Sequence, residues 1–257
     1  MRVGVVGAAG RMGRSVCAAV AADPSLRLVA AVDRTDVGEP VADLSVASEL
    51  HALADAGAEV AVDFTVAESA RDTLPWLAMH GIHAVVGTTG FAPSDFELFE
   101  SIFGADDGPN CVIAPNFAIS AVLMMRFAEL AAPWFDTAEI IELHHDRKID
   151  APSGTAATTA ARIADARETD FAPDPTEREI VAGARGGVGP RGVRLHSVRM
   201  RGMVAHQEVL LGAAGQTLTI RQDSYDRQSF MPGVLLACRM IADVPGLSRS
   251  LDPFLDL

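Results

Sequence analysis

Short apolar runs alternate with amphipathic stretches through the first half of the chain. Residues 2–6 (Arg-Val-Gly-Val-Val) read as a buried strand, followed by a glycine-rich turn and an alanine-rich helix from about Arg14 to Ala22. Further strands are expected at 26–32, 60–64, 84–86 and 111–114, with helices at about 48–56 and 69–80. Strand–helix alternation of this kind predicts a parallel sheet with helices on both faces.

The pattern changes near residue 118. An apolar helix is expected over 120–131, and 139–145 alternates like a half-buried strand, with Ile140 and Ile141 blurring the period. Residues 155–166 read as a helix, and 183–194 are rich in Gly and Arg, a mobile loop by composition. Tight turns separate runs at 195–200, 207–212 and 217–222, which predicts antiparallel pairing among them, and a last helix spans 232–242. The expected fold class is α/β, a Rossmann-type dinucleotide-binding domain carrying an inserted α+β domain. The expected division is 1–117 plus 226–257 for the first and 118–225 for the second.

Composition narrows the partners. With 49% apolar residues in 257, core material is ample, and the formal net charge of −13 argues against nucleic acid or an anionic membrane surface. An anionic small substrate stays allowed, because local fields at a site can oppose the global sign. Cys17, Cys111 and Cys238 are too widely spaced for a zinc site and odd in number, so buried reduced thiols are expected. No apolar run approaches the roughly 18 to 20 residues of a spanning helix. Strand-like sequence begins at Val3, so a cytoplasmic protein is expected.

Two stretches carry chemistry. Gly7, Gly10 and Gly13 fall between a strand and a helix, where glycine permits a sharp turn and close approach to a pyrophosphate at the helix start. Asp33 ends the next strand, 20 residues after Gly13, placed to accept from adenine-ribose hydroxyls. Arg34 and Arg11 are candidates for a 2′-phosphate, so both NADH and NADPH are expected as cofactors. Gly87-Thr88-Thr89-Gly90 and Ala114-Pro115-Asn116-Phe117 follow two further strands, where ligands of open α/β sheets sit.

The second stretch runs His144-His145-Asp146-Arg147-Lys148-Ile149-Asp150-Ala151-Pro152-Ser153-Gly154-Thr155. Lys148 is the only lysine; the other 20 of 21 basic residues are arginine. Arginine does not release a proton at neutral pH, whereas lysine can be tuned to do so. Ser153-Gly154-Thr155 opens a helix whose free N–H groups and Thr hydroxyl suit a carboxylate. An anion cradle, an ammonium and two imidazoles within a dozen residues suit reduction of a small dicarboxylate, with the proton coming from Lys148 or His144. No metal is expected, because two adjacent His without a nearby third ligand match no known spacing. His51, His80, His83, His196 and His206 read as surface or satisfied core residues.

Glu142-x-His144-His145-x-x-Lys148-x-Asp150-Ala151-Pro152-Ser153-Gly154-Thr155-Ala156 resembles the signature of the 4-hydroxy-tetrahydrodipicolinate reductase (dihydrodipicolinate reductase) family, in an actinobacterial style. Gly10-Arg11-Met12-Gly13, Gly87 to Gly90, Asn116-Phe117 and the stretch Asp223 to Gly233 resemble it as well. The resemblance runs essentially end to end. It implies a homotetramer, and NAD(P)H-dependent reduction of 4-hydroxy-tetrahydrodipicolinate with loss of water, a step of diaminopimelate and lysine biosynthesis. It implies His144 and Lys148 as proton-transfer residues. His145, Ser153, Gly154 and Thr155 would bind the substrate carboxylates, with Arg227 near the substrate. Gly7, Ala8, Ala9, Gly10, Arg11, Met12, Asp33, Arg34, Gly87, Thr88, Thr89, Ala114, Pro115, Asn116 and Phe117 would hold the cofactor. Gln222 stands where many relatives carry His, and Ala9 and Arg11 stand in a turn where some carry Lys. Two alternatives stay open: another two-domain NAD(P)-dependent oxidoreductase, and a regulator that binds the dinucleotide without chemistry. An aspartate-semialdehyde dehydrogenase would need a Cys nucleophile, and Cys111 falls inside a strand.

Overall fold

Val60–Asp63 (β5) is buried at every position, as expected of a strand covered by helices on both faces of a parallel sheet. In the computed structural model, which describes residues 1–104 and 108–257, β5 lies inside a six-stranded parallel sheet. Its companions are β1 (Arg2–Val6), β2 (Arg27–Val32), β6 (His83–Val86), β7 (Cys111–Ile113) and β13 (Leu247–Ser248), in the order β13-β7-β6-β5-β1-β2. From β1 the chain crosses first to β2 and later to β5 on the other side. That reversal makes a topological switch point at the carboxyl ends of β1 and β5.

The helices of this unit are α1 (Arg11–Ala22), α2 (His51–Asp55), α3 (Ala67–Met79), α4 (Pro93–Ile102) and α7 (Met231–Met240), with a small hairpin of β3 (Pro40–Val41) and β4 (Leu44–Ser45). Helix α2 is shorter than the expected 48–56, and α4 was not expected at all. Its start is nonetheless marked: Pro93 occupies the first turn, and Asp95 accepts from the Ala92 N–H at 2.7 Å and from Arg71. The chain divides into two compact units, Met1–Ile119 with Arg227–Leu257, and Ser120–Asp226.

In the second unit, helix α5 (Ile119–Ala131) leads into β8 (Thr137–His144), the middle strand of a five-stranded sheet ordered β12-β11-β8-β10-β9. The others are β9 (Gly187–Val188), β10 (Arg194–Arg199), β11 (Ala205–Ala213) and β12 (Gln216–Ser224), and α6 (Gly154–Asp165) accompanies them. Alternate residues of β8 (Ala138, Ile140, Glu142) are buried, so one face carries the core. The expected antiparallel run is corrected here. β11 and β12 do pair antiparallel, but β10 pairs with β8 instead, and in parallel. The turn after β10 does not close a hairpin because β8, from earlier in the chain, takes the place between β10 and β11. All three cysteines are buried thiols, and none of the described helices is long and apolar enough to cross a membrane.

Candidate active site

At the end of β1 the chain turns through Gly7 to Gly10 into α1. Gly7 has φ of +79°, and a Cβ on Gly13 would sit 2.0 Å from the Gly7 carbonyl oxygen, so neither position tolerates a side chain. The N–H groups of this turn are mostly committed. Gly7 and Ala8 both donate to the Val32 carbonyl, Ala9 donates to Asp33 Oδ2 at 3.0 Å, and Gly10 donates to the Gly7 carbonyl. The turn itself therefore offers few free N–H groups to an anion. The donors left for an anion are those of the first turn of α1, from Arg11 and Met12, where Gly10 supplies no side-chain cap.

Asp33 is fixed by the same turn. Burial pushes its carboxyl up, but donation from the Thr35 N–H, the Ala9 N–H and the Thr35 hydroxyl outweighs it, and the net shift is downward. Ionised Asp33 borders a cavity of about 360 Å³ within the first unit, together with Gly7, Gly10, Arg34, Phe64 and Thr65. An uncapped helix start, an ionised carboxylate and an open cavity at the switch point fit a dinucleotide. Arg11 and Arg34 are exposed. Arg14, which sequence reading passed over, braces the turn by donating to the Ala9 carbonyl at 3.0 Å and to Asp36.

At the other two strand ends several side chains are turned inward. Thr88 is buried, and its hydroxyl donates to Asp63 Oδ1 at 2.9 Å, so its side chain is not available to a ligand. Gly87 exists to make room: a Cβ there would lie 2.0 Å from the Phe64 ring, which packs against Phe117. Ala114 and Phe117 are buried, Asn116 Oδ1 accepts from the Ala118 N–H, and Thr89 and Pro115 are exposed.

The second unit gathers its candidates around one acid. Glu142 of β8 is fully buried; Arg199 of β10 grips it with two hydrogen bonds of 2.8 Å, and the Ser153 N–H donates to it at 3.2 Å. His144 Nδ1 contacts the same carboxylate. This follows from register. Residues two apart on a strand share a face, and Arg199 is the cross-strand partner of His144. Burial pushes the Glu142 carboxyl up, and its bonds to Arg199, Ser197 and His144 bring it below the usual range. Burial lowers His144, Glu142 acts against that, and the Lys148 and Arg199 charges add to the lowering. The net shift is downward, which favours the neutral imidazole.

Lys148 lies on the loop after β8, four-fifths covered, with Nζ 2.8 Å from Asp150 Oδ2. The Asp150 carbonyl accepts from Arg199, so the loop is tied back to β10. Ser153 caps α6 by accepting from the Ala156 N–H at 3.1 Å. Gly154 is exposed with open space beside it, and Thr155 is half-buried. His145 follows the end of β8 and accepts from the Arg147 N–H. His144, Lys148 and Ser153 therefore share one network. Arg227 is exposed and belongs to the first unit. Arg199 and Asp150 were missed as members, and only the cross-strand register could have revealed Arg199. Gln222 is buried and donates to the Ser224 hydroxyl. His206 pairs with Asp223, and His196 with Glu139.

A glycine turn opening a helix at the switch point of a parallel sheet defines the first unit as a Rossmann-type dinucleotide-binding domain. Residues 1–117 match the model of the dihydrodipicolinate reductase N-terminus and 120–254 that of its C-terminus. The chain belongs to the dihydrodipicolinate reductase family. It is 52% identical to the 4-hydroxy-tetrahydrodipicolinate reductases of Corynebacterium aurimucosum and Nocardia farcinica, covering 100% of this chain and 99% of each relative. A dipicolinate-bound dihydrodipicolinate reductase from Paenisporosarcina sp. TG-14 superposes with a TM-score of 0.90 at 37% identity, covering 98% of both chains. An amine dehydrogenase from Mycobacterium smegmatis, 14% identical with a TM-score of 0.65, covers 98% of this chain and 95% of its own and shares the fold alone.

Proposed function

We propose that this protein reduces 4-hydroxy-tetrahydrodipicolinate to tetrahydrodipicolinate, with loss of water, at the expense of NADH or NADPH, within diaminopimelate and lysine biosynthesis. The observation that carries the reading is the joining of His144, Lys148 and the Ser153 helix start through Glu142 and Arg199 in a chain of this family. When bound, the reduced nicotinamide supplies a hydride. Ionised Asp33 holds the ribose hydroxyls, and the open N–H groups at Arg11 and Met12 hold the pyrophosphate. Arg34, bordering the same cavity, takes the 2′-phosphate of NADPH. In the second unit the Gly154 and Thr155 N–H groups and the Thr155 hydroxyl receive a carboxylate, with His145 beside them. Lys148 donates the proton, leaving Asp150 to do so. His144, neutral at working pH, serves as a hydrogen-bond and proton acceptor at Nε2. The protein works as a cytoplasmic homotetramer with the second unit supplying the contact.

The test is a coupled assay in which the preceding synthase condenses pyruvate and aspartate semialdehyde, while oxidation of NADH and NADPH is followed in parallel. Turnover that requires the synthase product is expected. A folded protein that binds either cofactor yet oxidises neither would replace this reading with the regulator or another substrate.

A further inference from the structure

The Glu142 carboxylate is in an unusual position. It is fully buried, yet each of its oxygens is claimed by a different element: Arg199 of β10 on both, the Ser153 N–H at the head of α6 on Oε1, and His144 on Oε2. A carboxylate held ionised by a bidentate guanidinium can only accept hydrogen bonds. The ring nitrogen of His144 that faces it must therefore carry the hydrogen. This leaves Nε2 as the nitrogen with the lone pair in the neutral ring, in the way a carboxylate orients a catalytic imidazole elsewhere. The same oxygen pair also anchors the first N–H of the Ser153-Gly154-Thr155 start. The imidazole and the carboxylate cradle are thereby set against one common reference.

We propose that Glu142, clamped by Arg199, is the positioning residue of this site: it fixes His144 as the Nδ1–H tautomer and sets the α6 N-terminus at a fixed distance from it. This deepens the function proposed above and rests on it for the identity of the substrate, though not for the tautomer. The charged groups facing His144 are Glu142 on its own strand, Arg199 on β10 and Lys148 on the following loop. Replacing Glu142 by Gln keeps the shape and removes the charge. The amide can turn either its oxygen or its NH2 toward Nδ1, so the tautomer is no longer dictated.

The experiment uses the full-length chain with histidines labelled in nitrogen-15, assigned by comparison with His144→Asn. Wild type is expected to show Nδ1 protonated and Nε2 bare above the His144 titration. Glu142→Gln is expected to show a mixture of tautomers, with kcat in the coupled assay reduced on the order of 10- to 100-fold, as for other residues that orient a functional side chain. Its pH profile should shift on the acid side, and NADH affinity should stay unchanged. Glu142→Asp, which restores the charge on a shorter stem, should recover the Nδ1–H tautomer and part of kcat. The proposal is overturned if wild-type His144 is protonated on Nε2, or if Glu142→Gln keeps the wild-type tautomer and pH profile. If neither wild type nor variant oxidises NADH or NADPH, the substrate assignment fails, while the nitrogen spectra still decide the Glu142–His144 relation.

Discussion

Among the described residues, each unit buries one carboxylate completely near the end of an interior strand, Asp63 in β5 and Glu142 in β8, and the two are handled in opposite ways. Among the described residues Asp63 meets no cation. Its Oδ1 accepts from the Thr65 N–H and hydroxyl and from the Thr88 hydroxyl, and its Oδ2 has no partner among the described residues. Burial raises its pKa, and those three donors only partly offset the rise. Glu142 is met by a bidentate arginine and stays below the usual range. The first unit is thus built around backbone geometry and neutral hydrogen bonds beside a cavity. The second is built around formal charges whose positions depend on one another. A ligand that is itself a polyanion is best received by N–H groups and a helix start, whereas a proton-transfer site needs charges that tune one another.

The sharpest way to break the contrast is at Lys148. Lys148→Ala should lower kcat by about 10²- to 10⁴-fold, the usual scale for a general acid, while NADH binding, a property of the first unit, is retained in a fluorescence titration. Normal turnover would remove the proton-donor role. Next is the clamp. Arg199→Met leaves Glu142 buried without its cation and should cost about 3 kcal/mol in urea unfolding. The loss should shrink on acidification, because Glu142 then protonates more easily. In wild type the sign is the reverse: a depressed carboxylate stabilises fully above its ordinary range, and that stability is lost as pH falls through the depressed value.

Backbone crowding gives the third test. Gly13→Ala would place a Cβ 2.0 Å from the Gly7 carbonyl oxygen and should cost about 2 to 3 kcal/mol of stability, together with dinucleotide affinity. A variant binding NADH like wild type would show the turn to be softer than its packing implies. Fourth, Arg34→Ala should weaken NADPH by roughly tenfold, the scale of one hydrogen bond to a charged group, and NADH hardly at all. Equal loss for both would mean Arg34 never meets the 2′-phosphate. The smallest effect is expected at Asp63. A raised carboxylate costs stability above its folded pKa, and the cost fades as pH falls toward the ordinary value near 4. Asp63→Asn should therefore gain in Tm over wild type as pH rises from about 4 to 7. A gain that is flat with pH would mean that the Asp63 pKa is not raised in the fold.

Much of this was legible in the chain. The apolar runs of β1, β5, β6 and β7 marked the parallel sheet because strands covered on both faces need apolar residues at nearly every position. The glycine spacing and Asp33 marked the turn. Helix α4 carried its own start signal in Pro93 and Asp95 and was passed over. Strand β13 was not legible: it is two residues long, and Asn110, bonded to the Ile241 carbonyl and the Gly246 N–H, fixes it from far away in sequence. Nor was the commitment of Thr88 to Asp63, 25 residues apart.

The sequence by itself determined which residue types were present at the candidate sites, namely one lysine, a His pair, a Ser-Gly-Thr helix start and a glycine turn, because local spacing and helix-start chemistry are properties of neighbours along the chain. Only the tertiary structure decided how they were wired. Inserting β8 between β10 and β11, with β10 parallel, put Arg199 beside His144 and over Glu142. Strand order is chosen by the packing of whole faces rather than by any short stretch. The charge state and orientation of the imidazole follow from that order.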